Sequence, residues 1–175
     1  RLAESGWAGI TWPVAYGGRG GRPIEQVIFN QEQARYGVSV GAFMVAIGMV
    51  GPTIMRHGTE AQKQRYLPLM AAGETRGSFS MSEPDLGSDV AAIKTRAVVD
   101  GDEFVLDGAK MWLTNGGTSN LTAVLVKTDE GAEKPYQNLT CFLVEKPVGY
   151  GEVAPGLIVP GKIDKMGYKG VDTTE

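Results

Sequence analysis

The chain has 175 residues, of which 42% are apolar and 21% are charged, enough for one domain with a buried core or for two small ones. Its formal net charge of −3 argues against a nucleic-acid-binding face, which requires a basic surface. The single cysteine, Cys141, excludes an internal disulfide, and no apolar run approaches the roughly 18 residues of a membrane-spanning helix.

Glycine makes up 25 of the 175 residues, about twice its usual share of roughly 7%, which predicts many turns. The chain opens on RLAESGWAG without a methionine or a signal peptide and ends on KGVDTTE. We therefore expect it to be an internal piece of a longer protein.

Helical patterns dominate before residue 75. Pro23 is placed as a first-turn residue, and apolar residues then recur at spacings of three and four. A second apolar run covers residues 41–55, and Pro52 should kink or split it. A first domain, residues 1–75, is therefore expected to be a helical lobe.

A further helix is predicted after Gly58, which reads as a stop signal for the preceding one. Thr59 and Gln62 match the capping box, in which each side chain bonds the other residue's backbone N–H. Pro68 and Gly73 are expected to end this helix.

Strand patterns dominate from residue 76 to residue 175. The stretch RGSFSMS places Phe79 and Met81 in alternation with Ser80 and Ser82, as in a half-buried strand. KTRAVVDGDEFVLDGAKMWLTN predicts three strands joined by two Asp-Gly turns, because Asp-Gly suits tight hairpins. LTAVLVKT, NLTCFLVEK and LIVPGKIDKMG follow, with Cys141 expected as a small core residue.

Two segments could bind a ligand. FSMSEPDLGSD, residues 79–89, ends a strand in small hydroxyl and backbone donors that could cradle a diphosphate. KMWLTNGG, residues 110–117, sets Trp112 beside small donors, which suits a flat heteroaromatic ring with polar edges. As a strand it would place Lys110 and Trp112 on one face. Alternatively, Trp112 is a core residue and both turns are ordinary hairpin ends.

Taken together, SEPDLGSD followed by DGAKMWLTNGG resembles the acyl-CoA dehydrogenase family. GWAGITWPVAYGGRG, HGTEAQKQRYLPLMAAGE, TCFLVEK and GKIDKMGYKG resemble other segments of that family in the same order, across almost the whole chain. The resemblance implies a helical N-terminal domain, an antiparallel β-barrel-like middle domain that binds flavin, and a C-terminal four-helix bundle that this chain lacks.

The resemblance also implies site residues. The expected FAD-contacting residues are Phe79, Ser80, Met81, Ser82, Gly87, Ser88, Trp112, Leu113 and Thr114. Ser82 stands where the family usually has a threonine that reaches the flavin near N5, and Ser88 matches a serine near the bound acyl-CoA substrate. The clearest departure is Asp85-Leu86, where the family more often has Gly or Asn followed by Ala or His.

The implied reaction is FAD-dependent α,β-dehydrogenation of an acyl-CoA thioester. The family's catalytic glutamate lies after the β domain, so we expect no catalytic base in this chain and no activity from these 175 residues alone. The resemblance further implies an electron transfer flavoprotein as electron acceptor, a homotetramer or homodimer, and a reducing compartment, either bacterial cytoplasm or mitochondrial matrix.

Other residues have simpler interpretations. Glu83 is expected to be a strand-end charge or an ion-pair partner rather than the base. His57, the only histidine, is expected at a helix C-terminus, and residues 17–22, GGRGGR, as a loop between helices. Small residues such as Gly48 in the run 41–49 could leave room for an acyl group, or the run could be a plain buried helix.

Three alternatives remain open on the sequence. The first is an acyl-CoA oxidase-like flavoprotein, which passes electrons to oxygen. The second is a non-catalytic subunit that binds flavin or a CoA ester within a hetero-oligomer. The third is a structural β domain with no ligand.

Overall fold

The computed structural model describes residues 2–37, 40–128 and 131–175. Contacts between residues divide the chain into two compact units, Arg1–Gly77 and Ser78–Glu175. The first unit consists of helices and loops, and nearly all of the strands lie in the second. Helices therefore precede strands along the chain, in the predicted order.

In the described part of the first unit there are four α-helices and several shorter helical pieces. In chain order these are a 3-10 turn at Val14–Tyr16, α1 at Pro23–Gln33, a 3-10 turn at Ala34–Tyr36, α2 at Gly41–Val45, a π-helical segment at Ala46–Val50, α3 at Gly51–His57 and α4 at Glu60–Ala72.

The predicted helix signals are mostly confirmed. Pro23 occupies the first turn of α1, and Pro52 opens α3 directly after the π-helical segment. The capping box at α4 is formed: Thr59 N–H donates to Gln62 Oε1 at 2.9 Å, and Gln62 N–H donates to Thr59 Oγ1 at 3.2 Å. Gly73 ends α4 with φ of 79°.

The prediction that Pro68 ends α4 is wrong, because the helix continues through it to Ala72. Proline removes one helical hydrogen bond and strains the preceding turn. Leu67 and Met70, which flank Pro68, are almost completely buried. Their burial is worth more than the lost hydrogen bond, so the helix continues.

Burial in the first unit centres on α3, α4 and the loop before α1. Its most deeply buried side chains include those of Ile10, Trp12, Val50, Ile54, Leu67 and Met70. Helix α1 buries none of its residues, and its apolar positions Ile24, Val27 and Ile28 are about half exposed. Residues 18–22 form a loop ahead of α1, as predicted for GGRGGR.

The second unit contains one larger sheet and two small ribbons. Its strands are β1 at Gly77–Ser80, β2 at Arg96–Asp100, β3 at Glu103–Asp107, β4 at Leu113–Thr114, β5 at Leu121–Lys127, β6 at Leu139–Glu145, β7 at Gly151–Ala154, β8 at Leu157–Val159 and β9 at Thr173–Thr174. The larger sheet has the order β1-β5-β2-β3, and β6 also pairs with β5.

The barrel-like architecture is not supported. The described strands form an open five-stranded sheet, a β4–β9 ribbon and a β7–β8 hairpin, with no closed barrel among them. The larger sheet is not purely antiparallel either, because β2 and β5 pair in parallel at Arg96 and Lys127. Closure requires continuous pairing around a ring, which two-residue strands such as β4 and β9 do not provide.

One of the two predicted Asp-Gly hairpins is present. Asp100 and Glu103 face each other across the β2–β3 turn, and Gly101 has φ of 65°. The second hairpin prediction is wrong, because β3 does not pair with β4, which pairs with β9 instead. Gly108 serves a different purpose: a Cβ there would press against Thr95 at 2.7–2.9 Å.

Candidate functional site

The two segments singled out from the sequence lie side by side within the second unit. Met111 N–H donates to Ser82 O at 3.0 Å, and Lys110 Nζ donates to Met81 O at 3.1 Å. Ser78 Oγ donates to Thr114 O at 2.9 Å. Three hydrogen bonds therefore join the 78–82 stretch to the 110–114 stretch, although about 30 residues separate them in the chain.

The strand β1 presents a different face from the one predicted. Ser78 and Ser80 are 0% and 2% exposed, whereas Phe79 and Met81 are only partly buried. The alternation is present, but the serines rather than the apolar residues point inward. Hydrogen bonding accounts for Ser78, since its hydroxyl reaches the Thr114 carbonyl. The Ser78 hydroxyl is therefore structural.

Ser82 has polar groups available for a ligand. It follows β1 and is partly exposed, and its carbonyl is held by Met111. Among the described residues, neither its backbone N–H nor its hydroxyl has a protein hydrogen-bond partner. Polar groups near a protein interior are usually paired. Ser82 can therefore donate to a bound molecule.

Trp112 is not the strand residue that alternation predicted. Its φ of 67° lies in the left-handed region, which is a true outlier for a bulky residue. Its side chain is 55% exposed, so the core interpretation is also wrong. Backbone strain of this kind concentrates at ligand sites. The strained backbone places a large flat side chain where it can contact another molecule.

The turn after Ser82 is closed by two backbone hydrogen bonds. Glu83 N–H donates to Leu86 O at 2.9 Å and Leu86 N–H donates to Glu83 O at 3.1 Å. Asp85 is exposed, and its carboxylate lies 3.9 Å from Lys94 Nζ. Gly87 and Ser88 are exposed, and the described residues offer their N–H groups no acceptor. These two amides remain available to an anion.

Glu83 is a buried ion-pair partner, as the simpler interpretation predicted. Its side chain is 5% exposed, and Lys110 Nζ lies 3.1 Å from its Oε1. The carboxylate also accepts Lys94 N–H at 2.7 Å, Thr95 N–H at 2.8 Å and Thr95 Oγ1–H at 2.6 Å.

These contacts set the charge of the pair. Burial raises the pKa of Glu83, but the hydrogen bonds from Thr95, Lys94 and Lys110 outweigh it and bring this pKa from 4.5 down to about 2. Burial lowers the pKa of Lys110, and the facing carboxylate partly offsets that effect. A carboxylate held by four donors is a poor proton acceptor, so Glu83 is unsuited to act as a general base.

A cavity of about 290 Å³ opens beside this pair. It is lined by residues 83–86, 94–96 and 107–109. Opposite charges face each other around it, because Arg96 pairs with Asp107 at 3.3 Å and Lys94 lies near Asp85. None of the residues predicted to contact FAD lines this cavity.

A second polar cluster holds the turn that follows Trp112. Asp172 Oδ2 accepts Gly117 N–H at 2.9 Å, Thr118 N–H at 3.1 Å and the Thr118 hydroxyl at 3.3 Å, while its Oδ1 accepts the Tyr150 hydroxyl at 2.9 Å. Burial and the Asp172 carboxylate both raise the pKa of Tyr150. Sequence reasoning missed Asp172, since its partners lie 22 to 55 residues away along the chain.

The two glycines of the TNGG stretch are needed for packing. A Cβ at Gly116 would collide with the Thr174 side chain, and a Cβ at Gly117 would collide with the Tyr150 ring. The Gly117 N–H is also used by Asp172. The glycines therefore let the turn pack closely against Thr174 and Tyr150, and the amide of Gly117 is not free for a ligand.

The remaining candidates carry no chemistry. His57 is the last residue of α3, as predicted, and Cys141 lies partly buried in β6, where burial raises its pKa. Among the described residues, no group of three or more His, Cys, Asp or Glu is placed to hold a metal ion. None of the described helices combines the length and apolarity needed to cross a membrane.

Comparison with known proteins gives concordant matches over both units. The family model of the acyl-CoA dehydrogenase N-terminal domain matches residues 1–74, and that of the acyl-CoA dehydrogenase middle domain matches residues 78–175. The mitochondrial isovaleryl-CoA dehydrogenase of Pongo abelii is 38% identical over 176 residues, covering 100% of this chain and 40% of that protein.

Solved structures agree. An acyl-CoA dehydrogenase from Geobacillus kaustophilus superposes with a TM-score of 0.84 at 34% identity, covering 99% of this chain and 44% of that one. The prolyl acyl carrier protein oxidase AnaB superposes with a TM-score of 0.79 at 30% identity, again covering 99% and 44%. The chain spans less than half the length of these relatives, and it belongs to the acyl-CoA dehydrogenase family.

Proposed function

We propose that this chain carries the flavin-contacting part of an enzyme that oxidises acyl-CoA thioesters to enoyl-CoA with FAD. One observation carries the proposal. The segments around Ser82 and Trp112 are hydrogen-bonded side by side, with Ser82 donors that lack a partner in the described part of the chain and a half-exposed indole on a strained backbone. Similarity to an isovaleryl-CoA dehydrogenase and to the acyl-CoA dehydrogenase of Geobacillus kaustophilus supports the reaction class.

The residues fit a flat ring with polar edges. The exposed indole of Trp112 offers one stacking face, and Ser82 offers two donors beside it. The free amides of Gly87 and Ser88 suit a diphosphate or the CoA ester. The proposed FAD-contacting set is therefore Phe79, Ser80, Met81, Ser82, Gly87, Ser88, Trp112, Leu113 and Thr114, with Ser88 also facing the substrate.

Within this set the residues do different jobs. Ser80 is 2% exposed, so it contributes through its backbone and by packing beneath the segment. Ser82 orients the ring edge by donation, and Trp112 shields one face from water. When bound, FAD supplies the redox chemistry by accepting a hydride from the substrate β-carbon.

The proton chemistry requires a carboxylate other than Glu83. Glu83 is fully engaged by Lys110, Lys94 and Thr95, so it cannot approach a substrate α-carbon. We propose that the base lies outside these 175 residues. Family membership also leads us to propose an electron transfer flavoprotein as electron acceptor and a homo-oligomeric assembly.

The test uses the full-length protein. We expect it to purify yellow and to reduce a dye with one or more members of an acyl-CoA panel that includes isovaleryl-CoA. Trp112→Phe should keep a ring and retain FAD, whereas Trp112→Gly should lose most of it. A colourless full-length protein that gains no colour with added FAD would refute the proposal.

A second candidate differs in the electron acceptor. The similarity to the acyl carrier protein oxidase AnaB at 30% identity favours an oxidase on the same fold. Stopped-flow mixing of the reduced protein with air-saturated buffer separates the two. Reoxidation within seconds, with formation of hydrogen peroxide, supports the oxidase, and slow reoxidation supports the dehydrogenase.

A further inference from the structure

We propose that the buried Lys110–Glu83 pair positions Ser82, by fixing the peptide plane whose N–H would face the flavin edge. The inference rests on the proposed function and adds two positioning residues to it. Neither residue belongs to the set predicted to contact FAD. The pair acts through the backbone on either side of Ser82.

Lys110 fixes the orientation of the peptide between Met81 and Ser82. Lys110 Nζ donates to Met81 O at 3.1 Å. A trans peptide is planar, and its C=O and N–H point in opposite directions. No cis peptide occurs among the described residues. Holding the Met81 carbonyl therefore fixes the direction of the Ser82 N–H, which has no protein acceptor among the described residues.

The chain that follows Ser82 is also held in place. Its carbonyl accepts Met111 N–H at 3.0 Å, and Met111 directly follows Lys110. Glu83, the next residue after Ser82, holds the same ammonium group at 3.1 Å. The residues before and after Ser82 are thus both tied to Lys110, one through a carbonyl and one through a side chain. Ser82 has little freedom to turn.

Burial and pairing with Glu83 keep the Lys110 side chain in place. Lys110 and Glu83 side chains are 8% and 5% exposed, and an unpaired charge at that depth is costly. Glu83 is itself anchored by the backbone N–H groups of Lys94 and Thr95. The ammonium is therefore held in place by an anchored carboxylate, and a second of its N–H groups donates to the Met81 carbonyl.

A purely stabilising pair would make a different prediction. The double variant Glu83→Gln/Lys110→Met keeps both side-chain volumes and removes both charges together, so neither partner is left as an unpaired buried charge. It also removes the donor to Met81 O. If the pair only stabilises, this variant behaves as wild type once folded. If it positions Ser82, the properties of bound FAD change.

The chain offers a matched control in Lys146. Lys146 is also buried, with the residue 8% exposed, and its Nζ donates to two carbonyls, Ser119 O at 2.9 Å and Pro147 O at 3.3 Å. None of these atoms belongs to the stretches around Ser82 or Trp112. Lys146→Met therefore removes a buried lysine with two carbonyl partners without touching the proposed positioning.

The experiment measures FAD in the full-length protein and its variants. FAD affinity, the visible absorption spectrum and the reduction potential from dithionite titration are recorded without substrate. For the double variant we expect about tenfold weaker FAD binding, a shifted spectrum and a more negative potential, because one donor to the electron-accepting edge is misaligned. Lys146→Met should leave all three unchanged.

Each outcome has a distinct meaning. If wild-type protein binds no FAD, the proposed function fails. If wild type binds FAD and the double variant matches it in affinity, spectrum and potential, the function stands and the positioning inference is overturned. Equal spectral shifts in the double variant and in Lys146→Met would also overturn it, since they would reflect general loosening. If the double variant does not fold but Lys110→Met does, the same three measurements are made on Lys110→Met instead.

Discussion

At position 83 a carboxylate keeps its charge although its side chain is only 5% exposed. Four donors replace the lost hydration, and their combined effect holds the Glu83 pKa near 2 despite the opposing effect of burial. The side chain therefore fixes geometry, and it does not exchange protons at neutral pH. The same residue in an exposed turn would have been an ordinary surface acid.

The depressed pKa of Glu83 predicts a specific pH dependence. A carboxylate with a lowered folded-state pKa stabilises the fold above pH 4.5 and loses that contribution as the pH falls towards about 2. At pH 7, Glu83→Gln should lower the free energy of unfolding by about 3 kcal/mol, because it leaves Lys110 buried without a counter-charge. The gap to wild type should narrow by on the order of 2 kcal/mol between pH 5 and pH 2.5.

Urea unfolding of the chain at several pH values checks this. Asp107→Asn is the matched control, since Asp107 forms an exposed pair with Arg96 and its loss should change stability by less than about 1 kcal/mol. A Glu83→Gln gap that is constant with pH would contradict the proposed ionisation.

At the scale of elements, the two-residue strand β4 depends on a partner from the far end of the chain. Asp172 holds the turn after β4, and β9 directly follows Asp172 and pairs with β4. Asp172 also accepts the Asn115 N–H through its backbone carbonyl at 2.9 Å. The strained Trp112 backbone is therefore held by Met111 on one side and by the β4–β9 ribbon on the other.

Removing the Asp172 carboxylate should release that turn. Asp172→Ala leaves the N–H groups of Gly117 and Thr118 and the hydroxyl of Tyr150 without their acceptor, so we expect a loss of about 3 kcal/mol in the free energy of unfolding. Tyr150→Phe removes one of these bonds and should cost only about 1 kcal/mol. Thermal unfolding of the two variants compares them, and equal losses would show that the turn does not depend on the carboxylate.

The π-helical segment bears on the expectation that small residues in the run 41–49 leave room for an acyl group. Gly48 lies within it, is exposed, and has open space where a Cβ would be placed. Gly48→Val should therefore fold, and in the full-length protein we expect it to alter the preference for acyl chain length. Kinetics across straight-chain acyl-CoA substrates test this. Gly167→Ala also adds a side chain into open space, lies outside the proposed FAD-contacting set, and serves as the stability control.

Features that depend on neighbouring residues were predicted better from the sequence than features that depend on distant contacts. The capping box of Thr59 and Gln62 and the stop at Gly73 depend on neighbours within a few residues, so the sequence sufficed. The strand through Trp112 was wrong, because a positive φ there is imposed by contacts with residues 82 and 174. Pro68 was misjudged because burial of Leu67 and Met70 is a tertiary effect.

In the candidate site, too, some features were predicted from the sequence and others were not. The adjacency of the two segments was expected from their joint pattern, and hydrogen bonds at 2.9–3.1 Å between them show it. The roles of Ser78, Gly116 and Gly117 could not be predicted, since each depends on a partner distant in the chain. The interpretation of α1 was half right: its spacing produces a helix, but the described residues do not bury its apolar face.

At the scale of the whole molecule, the proposed function implies that this chain presents only part of a flavin site. Trp112 is 55% exposed and the Ser82 donors have no protein partner among the described residues, so the ring would be covered on one side by these residues. We expect the purified 175-residue chain to be colourless and to show no acyl-CoA-dependent dye reduction. Absorbance at the flavin bands and a dye assay check both points, with the full-length protein as the positive control.

Added FAD provides a second measurement on the same sample. A ligand at a hundredfold excess over its Kd stabilises a fold by about 2.7 kcal/mol. We expect FAD at accessible concentrations to raise the melting temperature of the isolated chain little or not at all. A yellow, dye-reducing chain would show instead that these residues suffice for catalysis.

The outer rim of β3 affects how this chain should be handled. β3 ends the order of the larger sheet, and its Phe104 and Val105 side chains are about half exposed. A bare strand rim with apolar side chains is a template for pairing with another copy and so for aggregation. Glu103 lies at the start of the run and repels a second copy, and salt screens that repulsion. Preparations will therefore stay clear longest when kept dilute and at low ionic strength.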